Sequence, residues 1–101
     1  MSNNGLPLYK TQTVPVASAA LLGVAGQRRL MGFVIVAGAA TGSVEFKDAA
    51  TDTGSVLMSG STAANTTSPF VDLTPVGGVM FNTGCFCKPA GTNCTVYCWF
   101  D

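Results

Sequence analysis

One stretch limits what this chain can fold into more than any other. Residues 26–38 read Gly-Gln-Arg-Arg-Leu-Met-Gly-Phe-Val-Ile-Val-Ala-Gly, the longest apolar run, set between glycines. Val34, Ile35 and Val36 are β-branched in succession and follow Phe33. Such side chains lose χ1 freedom in a helix and fit a pleated surface. The run is short for a helix and right for a strand. With a period of two, Leu30, Gly32, Val34 and Val36 share one face, and Met31, Phe33 and Ile35 share the other. Neither face is polar. A strand apolar on both sides must be covered twice, once by its own core and once by something else.

Composition says where that second cover comes from. A chain of 101 residues makes one domain. Charged residues are 10% of it and apolar residues 48%, against the ~25% charged residues of an ordinary soluble domain. A surface so poor in charge is weakly defended against association, so the chain reads as one that works inside an oligomer or a larger assembly. Five basic and five acidic residues cancel. Without a basic field, nucleic acid is not an expected partner, and Arg28-Arg29 is a pair rather than a patch. No stretch approaches the ~20 apolar residues of a membrane-spanning helix, so no membrane partner is expected. The N-terminus lacks the basic and apolar regions of a secretory signal. Synthesis in a cytoplasm, where thiols stay reduced, is the expectation.

Residues 1–13 are polar, mixed and without period, and read as an extended arm. Its anchors on a neighbouring subunit would be Leu6, Leu8 and Tyr9; the other reading is a disordered terminus. Residues 14–101 read as a β-sandwich domain. Residues 14–26 mix Ala and Leu with Pro15, Gly23 and Gly26, and predict one strand or two short ones, with a helical turn at 18–22 as the alternative. Ser43-Val44-Glu45-Phe46-Lys47-Asp48 alternates cleanly, Val44 and Phe46 inward. Ser55-Val56-Leu57-Met58-Ser59 is a short strand, and residues 60–68 form a loop. Residues 69–73 alternate again, with Phe70 opposite Val71 and Leu73. Val79-Met80-Phe81, Cys85-Phe86-Cys87-Lys88 and residues 94–100 complete seven or eight short strands. That spacing predicts an all-β, antiparallel sandwich or barrel.

The cysteines, Cys85, Cys87, Cys94 and Cys98, are the one cluster with possible chemistry. If their two strands form a hairpin around Ala90-Gly91, all four sulfurs share a face. They would then serve as small buried hydrophobes, form one or two disulfides after release from the cell, or bind zinc. The spacing C-x-C-x6-C-x3-C does not match the common zinc modules. There is no His, which removes the commonest general base and neutral metal ligand. Glu45, Asp48, Asp52, Asp72 and Asp101 are spread over turns and outer faces. No phosphate-cradling loop opens a helix. The chain does not read as an enzyme, and no cofactor or metal is expected.

The order of features is similar to a known family. Gly26-Gln27-Arg28-Arg29-Leu30 leads into Gly32-Phe33-Val34-Ile35-Val36. A Gly-Ser-Val-x-Phe-x-Asp strand follows at residues 42–48, then Gly-Val-x-Phe-x-x-Gly at residues 78–84, and an aromatic-rich strand ends the chain. This resembles the small β-sandwich virion proteins of tailed bacteriophages, including capsid decoration (cement) proteins. The match runs over about residues 26–100, and its cysteine-rich end departs from the pattern. The resemblance implies a jelly-roll-like sandwich, a homotrimer, and docking on the major capsid protein or another virion component. It also implies residence in the virion after assembly in the host cytoplasm. Interface candidates are Leu6, Leu8, Tyr9, Met31, Phe33, Ile35 and Trp99. Arg28 and Arg29 are further candidates, as contacts to an acidic lattice partner or else as a solvated strand end. The alternative function is a tail-fibre or adhesin head that recognises a host-surface glycan, which calls for exposed aromatics.

Overall fold

A computed structural model describes residues 9–101; Leu6 and Leu8 lie outside the described residues. Nine strands follow in order: β1 (Lys10–Pro15), β2 (Ala20–Leu21), β3 (Arg28–Val36), β4 (Gly42–Asp48), β5 (Ser55–Thr62), β6 (Val71–Asp72), β7 (Val79–Phe81), β8 (Cys85–Ala90) and β9 (Thr95–Phe100). Two short 3-10 turns, Val16–Ser18 and Thr74–Val76, interrupt them. The expected all-β antiparallel sandwich is the observed fold.

The pairing is nested. β1 pairs β9, β2 pairs β8, β3 pairs β6, and β4 pairs β5, all antiparallel. The chain therefore doubles back on itself like one long hairpin and then rolls up. Rolling gives a first sheet ordered β1-β9-β3-β6, with β7 sharing the β6 edge of β3, and a second sheet ordered β2-β8-β4-β5. Set β7 aside and this is the strand order of a jelly roll.

The two sheets close over one core. Val14, Phe33, Ile35, Val96, Cys98 and Phe100 come from the first sheet; Val44, Phe46, Cys85 and Cys87 come from the second. The rings of Phe33 and Phe46 meet across the gap at 4.9 Å, tilted by 53°. Leu22, Leu73 and Phe81 fill the ends.

Several boundaries differ from the sequence expectations. β1 begins at Lys10, so Lys10 to Thr13 belong to the first sheet rather than to an arm. β5 continues through Thr62, past the predicted end at Ser59, because Gly60, Ser61 and Thr62 pair with Val44, Ser43 and Gly42. The 3-10 turn precedes the predicted helical turn, since Ala20 and Leu21 are taken up by pairing with β8. The largest difference lies in β3. Register shifts between Leu30, which faces Phe100, and Gly32, which faces Trp99. Met31 is the extra residue of a β-bulge, a device that re-aims side chains. Strict alternation would place Leu30 with Val34 and Val36. The bulge turns Leu30 into the core beside Phe33 and Ile35 instead. Met31 is buried, with its sulfur close to the Cα of Gly78. Gly78 has φ +84, which glycine adopts without strain, and a Cβ there would meet Met31 Sδ at 2.6 Å.

The cysteine hairpin is not formed. Both edges of β8 are taken, by β2 and by β4. β9 therefore crosses to the other sheet and inserts between β1 and β3.

Candidate binding surfaces

Each sheet has an outer face, and the two faces differ in kind. In the first sheet, register sets side chains in rows. Thr11, Trp99 and Gly32 form one row, Thr13, Tyr97 and Val34 the next, and Pro15, Thr95 and Val36 the third. Their neighbours Val14, Phe33, Ile35, Val96 and Cys98 point into the core, so these nine point outward. None of the nine is charged. Phe70, from the loop before β6, lies over Gly32. A Cβ on Gly32 would sit 2.5 Å from its ring, so only glycine accepts this approach. The Phe70 ring packs edge-on against Trp99, with centroids 5.2 Å apart and planes at 85°, an arrangement favoured by the ring quadrupoles. Phe70 remains 50% exposed and Tyr97 41% exposed. The nearest acid, Asp72, borders the first row at the β6 edge. Its carboxylate accepts hydrogen bonds from the Thr74 hydroxyl and backbone N–H, which hold it below the usual carboxylate range.

The outer face of the second sheet is polar. Ser43, Glu45 and Lys47 of β4 lie between Lys88 of β8 and Ser59 and Ser61 of β5. Asp52, from the β4–β5 turn, accepts hydrogen bonds from Lys47 Nζ and Lys88 Nζ, both at 2.5 Å. Lys47 first and then Lys88 hold the Asp52 carboxyl below its ordinary value, and Asp52 in turn raises Lys88. A shallow depression of about 490 Å³ lies beside this clamp, lined by Ser43, Glu45, Ser59, Ser61 and Lys88.

A third feature sits at one end of the first sheet. β1 and β3 both run antiparallel to β9, so the starts of β1 and β3 meet the end of β9. This gathers Lys10, Arg28, Arg29 and Asp101, with Gln27 and Met80, around a cleft of about 250 Å³. Arg29 and Asp101 exchange backbone hydrogen bonds of 3.0 and 2.8 Å, and their side chains form an ion pair at 3.5 Å.

The four cysteines are free and buried. Cys87 Sγ and Cys98 Sγ come within 3.9 Å across the interior, where the two sheets face each other. A hydrogen bond with Cys98, then burial, pushes the Cys87 thiol up; burial does the same for Cys85 and Cys94. These groups are held as neutral thiols, poor both as nucleophiles and as ligands. Among the described residues no three His, Cys, Asp or Glu side chains converge as a metal site.

Of the residues expected at an interface, Phe33 and Ile35 lie in the chain's own core, and Met31 is buried beneath the Gly78 turn. Trp99 faces outward and is partly covered by Phe70. Tyr9 is partly buried just before β1. Arg28 and Arg29 line the cleft at the sheet end. The spare apolar face is thus Gly32, Val34 and Val36 with Tyr97, Trp99 and Phe70. Phe70 was not singled out from sequence, although a glycine inside a strand signals close approach by something. Lys10 and Asp101 carry no local signal that they meet.

No family model, curated protein or solved structure matches this chain. Function has to be argued from these surfaces.

Proposed function

We propose that this chain is a structural interaction protein of the capsid-decoration type. In this reading it associates with copies of itself, as a homotrimer, and cements a repeating virion shell. The observation that carries the proposal is the outer face of the first sheet, whose three rows on β1, β9 and β3 hold no charged side chain and meet a single acid, Asp72, at the β6 edge, with Phe70 and Tyr97 half exposed on it. Charges facing like charges across a contact cost free energy. A face of threonine, valine and aromatic side chains can press against a copy of itself without that cost. Charge is concentrated elsewhere, on the second sheet and at one end, which leaves a polar outside for the assembled particle. Viral capsid domains and lectins both use the jelly roll, so the fold by analogy is compatible with this role without choosing it.

The same aromatic platform favours one other reading, a module that stacks a host-surface glycan on Tyr97 and Phe70. Native mass across a dilution series separates the two. The decoration reading expects an oligomer that persists on dilution and that binds purified shells lacking it. A monodisperse monomer that ignores shells and retains a glycan ligand would replace it with the second reading.

A further inference from the structure

We infer that the cleft at the end of the first sheet is a receptor site for a carboxylate-bearing, acidic peptide segment. Three of the chain's five basic side chains, Lys10, Arg28 and Arg29, line a space of about 250 Å³. They are brought together by pairing with β9, although 17 residues of sequence lie between Lys10 and Arg28. All five acidic side chains belong to the described residues, and Asp101 alone lies in this cleft. Residues 1–8 contain no acid. Among the described residues, one side-chain carboxylate therefore meets three basic side chains here. Asp101 takes Arg29, while among the described residues Lys10 and Arg28 form no ion pair.

Arg28 is the more telling of the two. Its Nε is buried and without a hydrogen-bond partner, alone among buried side-chain nitrogens and oxygens of the described residues. Buried polar atoms are normally paired. The stem is held in place: Gly23 leaves room for it, since a Cβ there would come within 3.3 Å of Arg28 Nε and 3.1 Å of the Phe100 ring. Among the described residues the Arg28 side chain makes one hydrogen bond, a long one from Nη1 to the Gln27 carbonyl at 3.3 Å. With Nε covered by this chain, the Nη2 end of the guanidinium, which is not buried, is what a carboxylate would meet.

The choice of an acidic peptide follows from what surrounds the cations. Arg29 already receives a carboxylate from this chain, so the second position matches the same chemistry. Met80, 45% exposed, forms an apolar wall, which suits an apolar residue next to an acidic one. A nucleic-acid backbone needs a basic track, and the remaining two cations, Lys47 and Lys88, are engaged with Asp52 on the other sheet. The inference does not rest on the decoration reading, because a monomer would carry the cleft as well.

The test is titration of the full chain with a short glutamate-rich peptide, read by NMR shifts of the backbone amides and Arg Nε–H groups. Saturable binding that weakens with salt, with shifts centred on residues 10, 28, 29 and 101, is expected. Lys10→Gln with Arg28→Gln should weaken it about tenfold or more, as charge-assisted contacts are removed. Lys47→Gln with Lys88→Gln, which makes the same change in net charge, should leave it unchanged. Equal loss in both double variants, no saturable binding, or tighter binding of a single-stranded oligonucleotide than of the peptide would each overturn the inference. Amide dispersion of each variant confirms that it is folded. Tyr97→Lys, which alters the outer face of the first sheet, should bind the peptide as the parent does, so the cleft can fail or stand apart from self-association.

Discussion

Phe33 in β3 and Phe70 in the loop before β6 are both aromatic, yet their side chains do opposite work. Phe33 is fully buried against Phe46, and Phe33→Ala should cost about 3–5 kcal/mol, the usual range for emptying an aromatic core site. Phe70 is half exposed, and Phe70→Ala should cost no more than about 1 kcal/mol, since little of its ring leaves a dry environment. Urea unfolding of the two variants measures both values; a similar loss in each would mean that Phe70 is part of the fold rather than part of a surface. The cysteines behave like Phe33. Because Cys85, Cys87, Cys94 and Cys98 are all buried, no thiol should react with iodoacetamide in the native state, and all four should react in denaturant. Mass after alkylation counts them. Rapid modification of one thiol in the native protein would show that its strand opens easily. From sequence the four sulfurs would share a face only if their strands formed one hairpin. The strands lie in different sheets instead, and Cys87 and Cys98 meet across the interior between them. Side-chain parity is local and can be read along a strand; the partner of that strand is not.

Strands show the same divide between local and distant information. β4 could be read from its own alternation, Val44 and Phe46 inward, Glu45 and Lys47 outward. β3 could be recognised as a strand but not oriented, because its faces are both apolar and the bulge at Met31 leaves no mark in the hydrophobic pattern. That bulge decides which residues form the core. Deleting Met31 would leave Leu30 and Gly32 opposite Phe100 and Trp99 in an unbroken ladder, with Leu30 still inward. The deletion should nevertheless cost about 2–5 kcal/mol, because the buried Met31 side chain and its packing under Gly78 are lost. Met31→Leu, which conserves volume and keeps the bulge, should cost less than about 1.5 kcal/mol. Thermal melts of the two would test this, and a deletion as mild as the substitution would mean that the Met31 side chain adds little to the packing. The β4–β5 turn offers a separate test through pH. Asp52 has its carboxyl lowered below the ordinary 3.8, so its contribution is complete above that value and is lost as pH falls through the lower folded value. Lys88 is raised above its ordinary 10.5, so its contribution is complete below that value and is lost as pH rises through the higher folded one. The Tm difference between the parent and Asp52→Asn should therefore be small and constant between pH 3.8 and 10.5, and should close beyond both limits. A difference that persists well below pH 3.8 would show that the clamp does not act through charge.

The rolled hairpin sorts the few charges by location: a salt-bridged second sheet, a basic end, and a first-sheet face with Asp72 alone, at its β6 edge. Sequence composition announced the scarcity of charge but not this sorting, which exists only once β9 is placed between β1 and β3. Self-association should depend on the sorted face rather than on overall hydropathy. Tyr97 is the position to change, since it stands at the centre of the three outward rows, opposite Val34 and Thr13. It is 41% exposed, so a lysine there can keep its stem on the sheet and its ammonium in water. Tyr97→Lys should leave the monomer's stability within about 1 kcal/mol, as surface changes usually do. In an oligomer the same lysine would be repeated in every copy and buried without a counter-charge, a cost of several kcal/mol for each contact. The parent should sediment as an oligomer and Tyr97→Lys as a monomer at the same concentration. Val56→Lys on the second sheet, which adds the same charge beside Lys47, should stay oligomeric. If both variants dissociate, net charge alone governs assembly and the face has no special part in it. If neither dissociates, the contact lies elsewhere, and Tyr97 and Phe70 are left free to meet a ligand.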